Sequence, residues 1–160
     1  MAEPPATSNI VGVFLDEKSV IRRSPQVEHE RKVAIYDLLE ENVFVLQDGP
    51  EGPYNLHLRI EESRLVFDVR NEDDGTLTEF SLPLRVFRSI VRDYFLVCDT
   101  YFKAIKTQSP SQIEAIDMGR RGLHNEGAEL LAERLAEKVT VDRDTARRLF
   151  TLLCVLHIRA

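Results

Sequence analysis

The chain has 160 residues, 43% hydrophobic and 30% charged, with two cysteines and a net charge of −6. That size predicts one domain with its own core, and no apolar run approaches the roughly 20 residues of a membrane-spanning helix. The charge is uneven: residues 37–79 hold 12 acidic residues and 3 arginines, and residues 80–160 hold 13 basic and 10 acidic ones. The acidic middle argues against nucleic-acid binding by the whole surface.

The first eight residues, Met1 to Ser8, lack a basic or apolar signal segment and are expected to form a loose tail ahead of a single domain over 9–160. Residues 10–16 are apolar and β-branched and predict a strand. Ser24-Pro25 then reads as a cap and first helical position, opening a helix over 25–41. Val43 to Leu46 predict a short strand, and the Gly- and Pro-rich stretch 47–53 a mobile loop. Tyr54, Leu56, Leu58 and Ile60 alternate with polar residues, as do Leu65, Phe67 and Val69. With the turn signal Asp73-Asp74-Gly75 and a less regular strand over 76–82, they predict an antiparallel meander.

Three helices follow. The first carries Leu84, Phe87, Val91, Tyr94, Cys98, Tyr101 and Ile105 at helical spacing. The second opens on the capping box Ser109-Pro110-Ser111-Gln112 and runs to about residue 138, whole or broken. The third starts near residues 142–145 and is apolar nearly all round, which suits the core or an oligomer interface. The fold class is α+β: an antiparallel sheet of four to five strands, with the meander at 54–82, packed against about four helices. Cys98 and Cys154 fall in apolar helical patterns and read as reduced, buried thiols of a cytoplasmic protein.

Three of the seven glycines stand in one stretch, Gly119, Gly122 and Gly127, inside the second of these helices. Each interior helical glycine costs about 0.5–1 kcal/mol against alanine, so something compensates: close packing, a break, or a ligand. Helical geometry puts Arg120 near the centre of the apolar face and Asp117, Arg121 and His124 along one edge, with Asn125 and Glu126 in the same segment. In the packing reading, the two glycines on the apolar face, Gly119 and Gly127, admit Tyr94, Phe95, Tyr101 or Phe102 of the preceding helix, and Arg120 pairs with a carboxylate such as Asp117 or Asp99. In the ligand reading, Asp117, Arg120, Arg121 and Asn125 bind a small anion, His124 transfers protons, and Glu126 serves as a second base. Gly119-Arg120-Arg121-Gly122 also matches the GXXG loop with which KH domains clamp nucleic-acid backbone, although a long helix precedes it.

A second basic feature is the stripe of Arg85, Arg88, Arg92, Lys103 and Lys106, interrupted by Asp99, which reads first as a solvated face. Glu28-His29-Glu30-Arg31-Lys32 begins like the zinc-protease motif, but Val33 occupies the second histidine's position. His124-Asn125-Glu126 resembles half of a deaminase signature with no CxxC after it. His57 is expected exposed, and His157 at a helix end has a charge that suits the dipole. No metal site, cofactor fingerprint or nucleophile elbow is predicted.

Segments 24–31, 92–95, 110–127 and 145–150 resemble an uncharacterised bacterial protein family of small cytosolic proteins, and the resemblance extends from about Ile10 to His157. It implies a bacterial origin and supplies no activity. The sequence leaves open whether the protein is an enzyme. Its first functional reading is an interaction or regulatory module, with an unidentified protein partner or self-association as a homo-oligomer. The alternatives are a small enzyme or anion-binding protein built on Asp117, Arg120, Arg121 and His124, and, more weakly, RNA binding through 119–122.

Overall fold

The computed structural model describes residues 9–16 and 25–157; the expected tail, the Ser24 cap and residues 158–160 lie outside them. The chain runs β1 (Ile10–Leu15), α1 (Pro25–Glu40), β2 (Phe44–Leu46), β3 (Tyr54–Glu61), β4 (Arg64–Arg70) and β5 (Thr76–Pro83). A single 3₁₀ turn over Leu84–Val86 leads into α2 (Arg88–Thr107), α3 (Pro110–Leu135), β6 (Val139–Val141) and α4 (Arg143–His157). The fold class is α+β, as a strand meander followed by a run of helices predicts.

The meander is antiparallel throughout: β3 pairs with β4, and β4 with β5. Glu62 and Ser63, both at positive φ (52° and 61°), turn the first hairpin. In the second hairpin the left-handed residue is Asp74 (φ 66°), whereas Gly75 needs no positive φ. The irregular period of β5 has a local cause. Val69 pairs with Thr78 and Arg70 with Thr76, so Leu77 is an extra residue in a bulge.

Two details correct the all-antiparallel sheet of four to five strands. β1 joins the edge of the meander in parallel with β3, giving a mixed four-stranded order β1-β3-β4-β5. The long connection through α1 and β2 carries the chain back to start β3 beside β1, as a parallel pair requires. β2 leaves this sheet and pairs with β6 in a separate two-stranded ribbon. Three residues are too few to show a period of two, so β6 is hidden at the end of a helical segment.

One cluster of buried side chains joins the layers. Leu56, Leu58, Phe67 and Val69 from the sheet meet Leu38 of α1, Leu131 of α3 and Leu149, Phe150 and Leu153 of α4. The apolar helix α4 is the core helix: nine of its residues are buried, and it packs between α1 and α3. That use of α4 removes the oligomer-interface reading for this helix.

Polar groups fix its neighbours. Asp142 Oδ1 accepts from the Thr145 N–H (2.8 Å), capping α4, and the fully buried Thr145 hydroxyl accepts from the Val43 N–H (2.9 Å). Asn42 ties the end of α1 to β1: its Oδ1 accepts from Ile10 N–H (2.7 Å), and its Nδ2 donates to the Ile10 and Leu38 carbonyls. The 47–53 loop is anchored, with Gln47 N–H donating to the Lys138 carbonyl and the Tyr54 hydroxyl to the Pro50 carbonyl.

Candidate functional site

The helix α3 is unbroken over 26 residues and opens on the expected capping box of Ser109 and Gln112. Its three glycines have different surroundings. A Cβ on Gly127 would fall inside the Phe150 ring of α4, so this glycine exists to admit an aromatic side chain. The packing reading is right in kind here but names the wrong helix: the ring comes from α4, not α2. Gly119 has only Val97 Cγ2 at 4.0 Å, and nothing lies within 4 Å of a Cβ on Gly122. Because residues 119–122 are continuous helix, the loop geometry of a KH clamp is absent.

Removing bulk at Gly127 lets α4 approach α3, and a cleft opens beside this contact. The cleft has a volume of about 400 Å³ and lies among α1, α3 and α4, with Tyr94 of α2 at its inner end. That is within the usual range for small-molecule sites. Helix α1 contributes Glu30 and Asp37; α3 contributes Arg120, Arg121 and His124; α4 contributes Arg147, Arg148 and Thr151.

His124 is the most constrained side chain. Its ring packs between Tyr94 and Phe150, each centroid 5.3 Å away. Its Nε2 lies 2.8 Å from Thr151 Oγ1. The Thr151 hydroxyl donates to the Arg147 carbonyl (3.3 Å), so its oxygen accepts from His124 Nε2–H and leaves Nδ1 as a bare lone pair. That Nδ1 is buried without a partner. Burial, reinforced by the Arg147 and Arg120 charges, lowers the His124 pKa to about 4. The imidazole is therefore neutral at physiological pH, a hydrogen-bonding wall rather than a proton shuttle poised near neutrality.

Arg120 is held in place. Its guanidinium meets Asp117 Oδ1 through Nη2 (2.5 Å) and Nε (3.1 Å) and lies over the Tyr101 ring, 4.6 Å from its centroid. Asp117 also receives Arg121 (2.8 Å), and the two guanidiniums hold its carboxyl below the usual carboxylate range. Asp99 pairs with Lys103 instead. Glu30 of α1 stands 4.0 Å from Arg120 Nη1, and burial raises its pKa against the pull of that arginine.

Arg147 is held least. Its Nε is buried with no partner, and its Nη1 is 3.8 Å from Asp144. Arg148 donates to the Glu41 carbonyl at 3.3 Å.

Of the sequence candidates, Arg120, Arg121 and His124 line the cleft, and Asp117 orients the two arginines from behind. Asn125 faces a second groove with Ala128, Ala132 and Ala146, which shares Arg147 with the cleft, and its Oδ1 is buried without a partner. Glu126 is exposed and lines none of these surfaces, so it does not stand with His124 as a second base. Residues missed at these positions are Glu30, Tyr94, Arg147, Arg148 and Thr151. The available signal was Arg147-Arg148 and Thr151 flanking the start of the apolar run of α4.

Elsewhere, Arg85 of the 3₁₀ turn and Arg88, Arg92, Lys103 and Lys106 of α2 are exposed, as a solvated face requires. His57 is half-buried, stacked on Phe14 and 2.8 Å from Asp74. At His157, burial, together with the Arg88 charge, lowers the pKa. Cys98 and Cys154 are free and buried, and burial raises the Cys98 thiol to about 11. Among the described residues no group of acidic, histidine or cysteine side chains is arranged to hold a metal, and no helix is long and apolar enough to cross a membrane.

Residues 7–159 match the model of an uncharacterised protein family, UPF0262. The chain belongs to this family. It is similar to a UPF0262 protein of Paramagnetospirillum magneticum, 60% identical over 155 residues that cover 97% of this chain and 99% of the relative. A UPF0262 protein of Rhodospirillum rubrum is 58% identical over 153 residues (96% and 94% covered), and one of Rhodopseudomonas palustris is 56% identical over 156 residues (97% and 96% covered). These relatives are bacterial and carry no assigned activity, as the resemblance in the sequence implied. No solved structure matches the chain.

Proposed function

We propose that this protein binds a small anionic ligand in the cleft among α1, α3 and α4. The observation that carries this reading is the convergence of four guanidiniums, Arg120, Arg121, Arg147 and Arg148, on one open cavity. A buried guanidinium nitrogen without an acceptor is costly, and Arg147 Nε is such a donor. Arg120 and Arg121 already share Asp117, so Arg147 and Arg148 are the cations best placed to take a carboxylate or phosphate. Charge-assisted, bidentate contacts of that kind are the strong ones. His124, neutral and fixed by Thr151, shapes the inner wall.

Thermal unfolding at constant ionic strength tests the reading, with inorganic phosphate and small carboxylates as probes. A ligand at a hundredfold excess over its Kd stabilises by about 2.7 kcal/mol, and Arg147→Met is expected to abolish that gain. Stabilisation that survives Arg147→Met, or none with any probe, contradicts the proposal.

The interaction or regulatory role, with self-association, is the second reading. It is favoured by three apolar side chains of α1 that remain exposed: Val33, Tyr36 (69%) and Leu39. Sedimentation equilibrium tests it: a dimer that Tyr36→Glu dissociates supports it, and a monomer at all concentrations contradicts it.

A further inference from the structure

The two sides of the cleft differ in sign. The α1 side presents the carboxylates Glu30 and Asp37; the α3 and α4 side presents Arg121, Arg147 and Arg148. Resting on the anion-binding reading, we infer that the ligand is a zwitterion, its ammonium group facing Glu30 and Asp37 and its carboxylate or phosphate facing the arginines.

Three observations support the orientation. Glu30 is only 28% exposed at its side chain, and its ion-pair contact is the 4.0 Å approach of Arg120 Nη1. Arg120 cannot close that gap freely, because Asp117 and the Tyr101 ring already fix its guanidinium. Glu30 is therefore a partly desolvated carboxylate held short of a full ion pair, which is unfavourable unless a cation or donor arrives. A plain anion filling the cavity would lie against this carboxylate and gain only on the arginine side. A cation alone would meet four guanidiniums. A ligand carrying both charges satisfies both sides, and such charge matching discriminates between otherwise similar molecules. His29 stands exposed at the rim of the α1 side, and Asp144 contacts Arg147 on the α4 side. Neither reverses the sign of its own side.

Matched pairs of probes separate the charges. O-phosphoethanolamine against ethyl phosphate, and γ-aminobutyrate against butyrate, differ by the ammonium group within each pair. By calorimetric titration of the full chain at constant ionic strength, the ammonium-bearing member is expected to bind about tenfold more tightly, the ratio for one charge-assisted contact. Glu30→Gln is expected to bring each pair together by weakening only the zwitterion, and Arg147→Met to weaken both members. Asp37→Asn gives a second route to the same result if Glu30→Gln does not fold. The better of the two pairs identifies whether the anionic end is phosphate or carboxylate.

Equal binding within both pairs, or a preference unchanged in Glu30→Gln and Asp37→Asn, overturns the zwitterion while leaving the anion site standing. No saturable binding by any of the four probes overturns both readings.

Discussion

The two halves of α3 use the same residue type for opposite ends. In the second half, Gly127 is buried and its missing side chain is filled by Phe150 of α4. In the first half, a Cβ on Gly119 would only touch Val97, and one on Gly122 would face open space. His124 stands between them, its ring against Phe150 on one side and Tyr94 on the other. A glycine in a helix is thus informative only together with what its absent Cβ would touch. Close packing explains one of the three, and nothing in the structure explains the other two.

This contrast can be broken by substitution, and the largest effect is expected in the packed half. Gly127→Ala forces a methyl group into a fully buried ring, an overpacking that costs about 3 kcal/mol, offset by up to about 1 kcal/mol of helix propensity. Urea denaturation checks it, and an unchanged midpoint would mean that Phe150 can move aside.

The next effect is on pH dependence at the boundary. The His124 pKa is lowered to about 4 from 6.5, so the unfolded chain binds this proton more readily than the folded one. Stability from this group is full above pH 6.5 and is lost as the pH falls toward 4, by at least about 2 kcal/mol. His124→Gln should flatten that part of the stability profile. A profile identical to that of the parent would show that His124 does not titrate with unfolding.

In the open half the effects are smaller. Asp117→Asn weakens its contacts with Arg120 and Arg121, both partly exposed, and should cost about 1 kcal/mol. Gly122→Ala meets no neighbour and should stabilise by about 0.5–1 kcal/mol. A loss of stability at Gly122 would show that the two halves are not different after all.

Much of the fold was legible because it follows local rules. The alternation in β3 and β4, the capping box of α3 and the apolar run Leu149–Leu156 of α4 each report local backbone form and burial. What was illegible depends on partners far away in sequence. The parallel register of β1 with β3, and the β2–β6 ribbon, are decided by which edges meet in three dimensions.

The site divides the same way. Asp117, Arg120, Arg121 and His124 share one helix, so their spacing alone gathers them. Glu30 and Arg147 arrive from other helices, and no spacing could place them there. Glu126 illustrates the converse: one residue from Asn125 in sequence, it turns to solvent because adjacent positions on a helix point about 100° apart.

The measurement that bears most directly on the account is a nuclear magnetic resonance titration with inorganic phosphate at constant ionic strength, read at the arginine Nε–H groups and the His124 ring. Saturable shifts are expected at Arg147 Nε and His124 with a single dissociation constant, with little change at the exposed Arg85, Arg88 and Arg92 of the basic stripe that runs onto α2. Shifts that never saturate, or that are as large along that stripe as in the cleft, would contradict it.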